Sequence, residues 1–178
     1  IIVKNVRPVL VVAPDQTIDE GTKLDLSAIG APPLALFIDD GKAYLIYASE
    51  HNGTLHLSLL DDTYTKHVGK YVRITPLAYN ESPTIFKRGG RYFMITSRCN
   101  GWNPSDARLL TANSIWGPWE SVGNPCVGPE DRTKITFESQ STHVLPVHGK
   151  KDAFIFMADR WRPVNAIDGR YVWLPIEF

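Results

Sequence analysis

The sequence predicts an all-β chain, and three observations carry that prediction. Short apolar runs are rich in aromatic and β-branched residues, polar turns bearing glycine separate them, and no window of ten or more residues repeats its apolar positions at helical spacing. The first clear element is a hairpin, "LALFIDDGKAYLIYAS" (34–49), with its turn at Asp40-Gly41. Glycine supplies the positive φ that a tight hairpin turn requires. A further strand follows in "GTLHLSLL" (53–60). The second hairpin is "PTIFKRGGRYFMITS" (83–97), turning at Gly89-Gly90, and "ARLLTA" (107–112) reads as its next strand. The third is "THVLPVHGKKDAFIFMAD" (142–159), turning near Gly149-Lys150, and "RYVWLPIEF" (170–178) closes the chain as a strand.

The turns recur at 48 residues (Gly41 to Gly89) and 60 residues (Gly89 to Gly149). A hairpin plus one or two further strands in each period makes a small sheet, and repetition of such a unit is the mark of a β-propeller blade. Three blades are recognisable, three to four at most, so the expected fold is a partial or truncated propeller over 34–178. Residues 1–33 open with an apolar β-branched run, fit the repeat poorly, and read as a divergent N-terminal segment.

Bulk composition narrows the function. With 43% hydrophobic residues the chain is globular, and its 19 basic residues balance 19 acidic ones, which points to neither nucleic acid nor an anionic membrane as a partner. No apolar run approaches the length of a membrane span. No signal peptide is visible, although the chain starts at Ile1. Five histidines show no metal-ligand spacing, and Cys99 and Cys126 lack the close cysteine partners of a zinc site. Five tryptophans are a generous supply, suited to core packing or to stacking on a ligand.

One acid stands out. Glu81, in "YNESPTIFKRGGRYFMITS", immediately precedes the most apolar hairpin. It reads either as a solvated charge at a strand end or as a catalytic acid at the mouth of a β-structure. The ordered phrases "LFIDDGKAYLIYASEHNGTLHLSLL", "GKYVRI", "ESPTIFKRGGRYFMITS", "CNGWNPSDAR", "SIWGPWESVGNPCVGP", "FESQSTHVLPV" and "FIFMADRWRP" resemble glycoside hydrolase family 43 over about residues 34–178, in its exo-β-1,3-galactanase-like branch. The resemblance implies a five-bladed propeller with an active site in an axial funnel. It also implies inverting hydrolysis of a glycosidic bond in β-1,3-galactan or a related plant polysaccharide. Inversion needs a protonated carboxyl at the leaving oxygen and a second group holding water on the opposite face, ~6.5–9.5 Å away.

Carried over residue by residue, the resemblance makes Glu81 the general acid and Gln140 a group that orients water or a sugar hydroxyl. An amide oxygen can accept a hydrogen bond but the amide cannot take the proton. Glu138 is the nearby carboxylate. Glu50 and Asn52 in "ASEHNGT" fall where sugar contacts are made, though "HNG" is equally an ordinary turn. Trp102 is placed to stack on a sugar, or to pack on Pro104. Arg160 and Trp161 form a funnel-edge pair, with Arg160 able to reach hydroxyls, Glu81 or Asp159. Trp116 and Trp119 are expected to be structural.

The resemblance also implies a disulfide between Cys99 and Cys126, which agrees with an extracellular or periplasmic protein. No cofactor is implied, and an axial ion such as calcium has no support in the ligand set. One departure matters: Pro33 stands where the family carries an aspartate that tunes the acid, and Asp39 and Asp40 lie at the far end of that strand. Two readings follow, a glycosidase with carbohydrate substrate, or an inactive truncated propeller that at most binds carbohydrate. A protein-interaction propeller ranks third, since it leaves the acid, glutamine and tryptophans unexplained.

Overall fold

The computed structural model describes residues 34–162 and 164–178. The divergent segment 1–33, with Pro33 in it, lies outside the described residues.

Eleven strands form three antiparallel sheets in chain order. Sheet 1 contains β1 (Leu34–Asp39), β2 (Lys42–Ser49), β3 (Thr54–Leu60) and β4 (His67–Ile74). Sheet 2 contains β5 (Asn80–Arg88), β6 (Arg91–Arg98), β7 (Ala107–Ala112) and β8 (Glu120–Gly123). Sheet 3 contains β9 (Gln140–Pro146), β10 (Phe154–Arg160) and β11 (Arg170–Ile176). One short helix, α1 (Glu130–Thr133), lies in the connection between sheets 2 and 3. The all-β, blade-by-blade expectation therefore holds, with three blades among the described residues.

Local chemistry fixes the hairpins. Asp40 and Gly41 (φ 48° and 70°) and Gly89 and Gly90 (φ 57° and 79°) occupy two-residue loops in the left-handed region, whose twist matches that of paired strands. The third hairpin is looser: β9 and β10 are separated by residues 147–153, closed by the Val147 N–H donating to the Ala153 carbonyl at 2.9 Å.

The three sheets meet through their first strands, with β1 against β5 and β5 against β9. Sheet 2 is buried on both faces, and alternation along β6 sorts its side chains. Tyr92 and Met94 join a core with Tyr44, Ile46, Leu55 and Leu57 of sheet 1. Phe93 and Ile95 turn to a second core with Val144, Phe154 and Phe156 of sheet 3. Each such side chain contributes about 1.5–3 kcal/mol when fully removed from water. A polar clamp adds to the sheet 1–sheet 2 contact: Lys87 Nζ donates to both Asp39 oxygens at 2.9 and 2.8 Å, and the Tyr92 hydroxyl donates to Oδ2 at 2.6 Å. This clamp lies at the opposite end of β5 from Glu81. Trp116 and Trp119 pack against the first core, in keeping with a structural role.

The expected disulfide is absent: Cys99 and Cys126 are both free. The Cys99 sulfur faces the Asn52 carbonyl at 3.8 Å and the Glu81 side chain. Cys126 packs instead against the second core, with its N–H held by Asn124 Oδ1 at 2.9 Å. The two thiols serve different neighbourhoods, and burial pushes each up to about 11.

Candidate active site

Glu81 reaches the site because β5 carries a bulge. Beyond it the strand pairs Thr84 with Ile95, and that register run backwards would set Glu81 opposite Arg98. Instead Ser82 and Pro83 together oppose Thr96, and Glu81 pairs with Ser97. One extra residue switches every preceding side chain to the other face. Glu81 thus faces sheet 3 rather than sheet 1. Ser82 accepts φ 50° at the bulge, and Pro83, which has no N–H to offer, sits on an edge strand where none is needed. β9 has a matching irregularity: Ser141 pairs with Ala158 and His143 with Met157, leaving Thr142 as the extra residue.

Those two strand starts bring Glu81 and Gln140 together. Gln140 Nε2 donates to Glu81 Oε1 and to Ser97 Oγ, each at 2.8 Å. The Ser141 hydroxyl donates to the Ser82 carbonyl at 2.5 Å, tying the two irregular stretches to each other. Glu81 is half-buried. Burial raises its carboxyl above the ordinary value, and the hydrogen bonds from Gln140 and Cys99 only partly offset that rise. A carboxyl so placed holds its proton to higher pH than a solvated glutamate, which suits a proton donor.

The remaining candidates divide. Trp102 and Trp161 touch, with ring centroids 4.5 Å apart and planes at 54°, so loops following β6 and β10 share one aromatic surface. Trp102 is 73% exposed, which rules out packing on Pro104 as a sufficient account of it. Asn52 is exposed, and its carbonyl faces the Cys99 thiol. Glu50 is occupied by the protein itself: Arg73 donates to both of its oxygens at 2.6 Å, Thr54 donates at 2.9 Å, and His56 lies at 2.9 Å. Arg73 first, then His56, holds its carboxyl down at about 2. Glu50 anchors the 50–53 turn, where Glu50, His51 and Asn52 are all left-handed (φ 54°, 56° and 62°).

Arg160 approaches neither Glu81 nor Asp159. It donates to the Phe137 carbonyl and lies 4.0 Å from Glu138, which also meets Arg162 at 3.4 Å. Glu138 ends a second left-handed run, Thr136 to Glu138 (φ 50°, 57° and 62°). Sequence reasoning missed Ser97 and the Cys99 contact with Glu81. No local signal marks either, because both depend on which strand β6 faces. Among the described residues no group of three or more His, Cys, Asp or Glu side chains is arranged to hold a metal ion.

The sequence profile of glycosyl hydrolases family 43 matches residues 32–173. A crystal structure of a family 43 β-1,3-galactosidase with galactodeoxynojirimycin superposes with TM-score 0.78 and 53% identity, over 82% of this chain and 41% of that one. An exo-β-1,3-galactanase from Clostridium thermocellum gives TM-score 0.72 and 34% identity, over 82% and 31%. A β-D-galactofuranosidase of Aspergillus niger is 28% identical over 141 residues, 75% of this chain and 40% of that protein. The chain thus spans well under half the length of these relatives. On the profile match across most of its described length, with the galactanase-like members among its structural relatives, the chain belongs to glycosyl hydrolase family 43.

Proposed function

We propose that the chain carries the acid half of a glycoside hydrolase site for β-1,3-linked galactan or a related polysaccharide, with Glu81 as general acid. The observation that carries this reading is the half-buried Glu81 carboxyl, its titration raised, held by Gln140 at the end of the innermost strand of sheet 2. In the proposed reaction Glu81 gives its proton to the leaving glycosidic oxygen as the bond to the anomeric carbon breaks. Water attacks the anomeric carbon from the opposite face, so configuration inverts, and its surplus proton passes to solvent, from which Glu81 is reprotonated. Gln140 turns its carbonyl oxygen to the sugar or the water, since both its N–H groups are engaged. The Trp102–Trp161 surface stacks on sugar C–H faces. Asn52, which is exposed, offers a further polar contact. A polymeric substrate would put this work outside the cell.

The test is Glu81→Gln assayed on β-1,3-galactan: galactose release should fall by the ~10²–10⁴ that general acid catalysis supplies. Unchanged release would sink the assignment.

One observation favours a second reading, carbohydrate binding without hydrolysis. The side chain that meets Glu81 from sheet 3 is an amide, not a second carboxylate. Calorimetric binding of galacto-oligosaccharides with no release of reducing sugar would decide for it.

A further inference from the structure

The connection from β4 to β5 has a backbone that the fold alone does not explain. Thr75, Leu77 and Tyr79 are all left-handed (φ 45°, 60° and 52°), a conformation that β-branched and bulky residues adopt rarely and that Asn or Gly takes with less strain. Leu77 and Tyr79 are nonetheless 69% and 52% exposed, so two large side chains are held in water. They lie together over Gly53, where an added Cβ would stand 3.6 Å from Leu77 Cδ2 and 4.0 Å from Tyr79 Cε1. Exposed apolar surface gathered on a strained backbone marks a contact surface rather than a packing solution.

The turn is tied to the site from two sides. The Tyr79 N–H donates at 3.2 Å to the carbonyl of Gly53, the residue after Asn52, and the Tyr79 carbonyl accepts from the Cys99 N–H at 2.9 Å. Cys99 in turn faces Asn52 and Glu81. The Leu77 N–H donates to Thr54 Oγ1 at 3.2 Å. Arg108 Nη1 donates to the Ala78 carbonyl at 2.7 Å and to Asn80 Oδ1 at 2.6 Å. These donors are amide and guanidinium groups, whose hydrogens are fixed by their heavy atoms.

We propose that Tyr79, with Leu77 beside it, is a substrate-contact residue: its ring walls the site on the sheet 1 side and stacks on a C–H face of the galactan chain. The proposal deepens the reading of Glu81 as the acid and rests on it for the identity of the ligand. Tyr79 precedes Glu81 by two residues, a span of at most ~7 Å, so a chain whose glycosidic oxygen meets the acid passes within reach of this wall. A sugar ring presents C–H patches that suit an aromatic plane and leaves its hydroxyls free for Asn52 and Gln140. The turn is already locked, so binding adds no backbone ordering there. The Trp102–Trp161 surface, which joins sheets 2 and 3, thereby gains a counterpart on sheet 1.

The experiment titrates β-1,3-galactotriose into Glu81→Gln protein, which lacks the acid, by calorimetry, with thermal scans of the same samples. Adding Tyr79→Asn removes the ring and supplies a residue that accepts left-handed backbone. Kd should rise ~10-fold, the contribution of one aromatic contact, while Tm does not fall. Tyr79→Phe, which keeps the ring, should bind within ~2-fold of the parent. Should Tyr79→Asn fail to fold, Leu77→Asn carries the test, with a ~3-fold rise in Kd at undiminished Tm. An unchanged Kd in the asparagine variant, or a phenylalanine variant as weak as it, overturns the proposal and leaves the reading of Glu81 standing. A weaker Kd accompanied by a lower Tm overturns it as well, since that pairing marks a structural residue. No binding by the Glu81→Gln parent overturns both readings together.

Discussion

At the scale of single residues, Glu81 holds its site against the interest of the fold. Its carboxyl titrates above the value of an unfolded chain because burial disfavours the charge. The folded state therefore binds the proton more tightly, and ionising Glu81 weakens the fold as pH rises from the ordinary glutamate range through the folded midpoint. Glu81→Gln should accordingly raise Tm at neutral pH, with the gain vanishing below pH ~4 where the native residue is already neutral. Thermal scans of both proteins across that range test it, and an equal gain at low pH would contradict it. Glu81 was legible in the sequence because an acid beside Ser82-Pro83, ahead of an apolar hairpin, is a local phrase. Ser97 was not, because its importance comes from the pairing of β5 with β6 and from the arrival of β9. Glu50 shows the same limit from the other side: its partner Arg73 lies 23 residues away, and the turn sequence around Glu50 says nothing of it.

At the scale of elements, the bulge in β5 decides where the acid points. Deleting Ser82 should restore simple alternation and swing Glu81 towards sheet 1. Galactan cleavage should then drop at least ~10²-fold, as for loss of the acid, in a protein whose circular dichroism stays that of a β-sheet. Activity that survives the deletion would show that the bulge does not aim the acid. The clamp at the other end of β5 is a stability device. Lys87→Met leaves the Asp39 carboxylate, 13% exposed, without its cation, and should cost ~2 kcal/mol in denaturant titration. The hairpins were readable because Asp40-Gly41 and Gly89-Gly90 announce them. β4 and β8 were not: β4 exposes most of its residues and β8 exposes all four, so neither carries an alternating apolar pattern. Outer strands that give the core only one end, as β4 does through Val72 and Ile74, or none, leave little periodic trace.

At the scale of the whole molecule, the two cores explain why sheet 2 reads as almost continuously apolar, whereas among the described residues sheet 3 is covered on one face only. Its other face bears Leu145, Tyr171 and Trp173 at 42%, 76% and 54% exposure. An apolar face of that kind favours association. Sedimentation should show larger species as concentration rises, and Trp173→Lys should weaken that association about tenfold, the effect of losing one aromatic anchor. A concentration-independent monomer would refute it.

The contact between Trp102 and Trp161 joins the loop after β6 to the end of β10, and so spans two sheets. Two indole chromophores at 4.5 Å and 54° couple their electronic transitions. The protein thus carries a native optical gauge at the rim: a paired circular-dichroism band that exists only while sheets 2 and 3 are docked, and that any sugar sliding between or across the rings should distort.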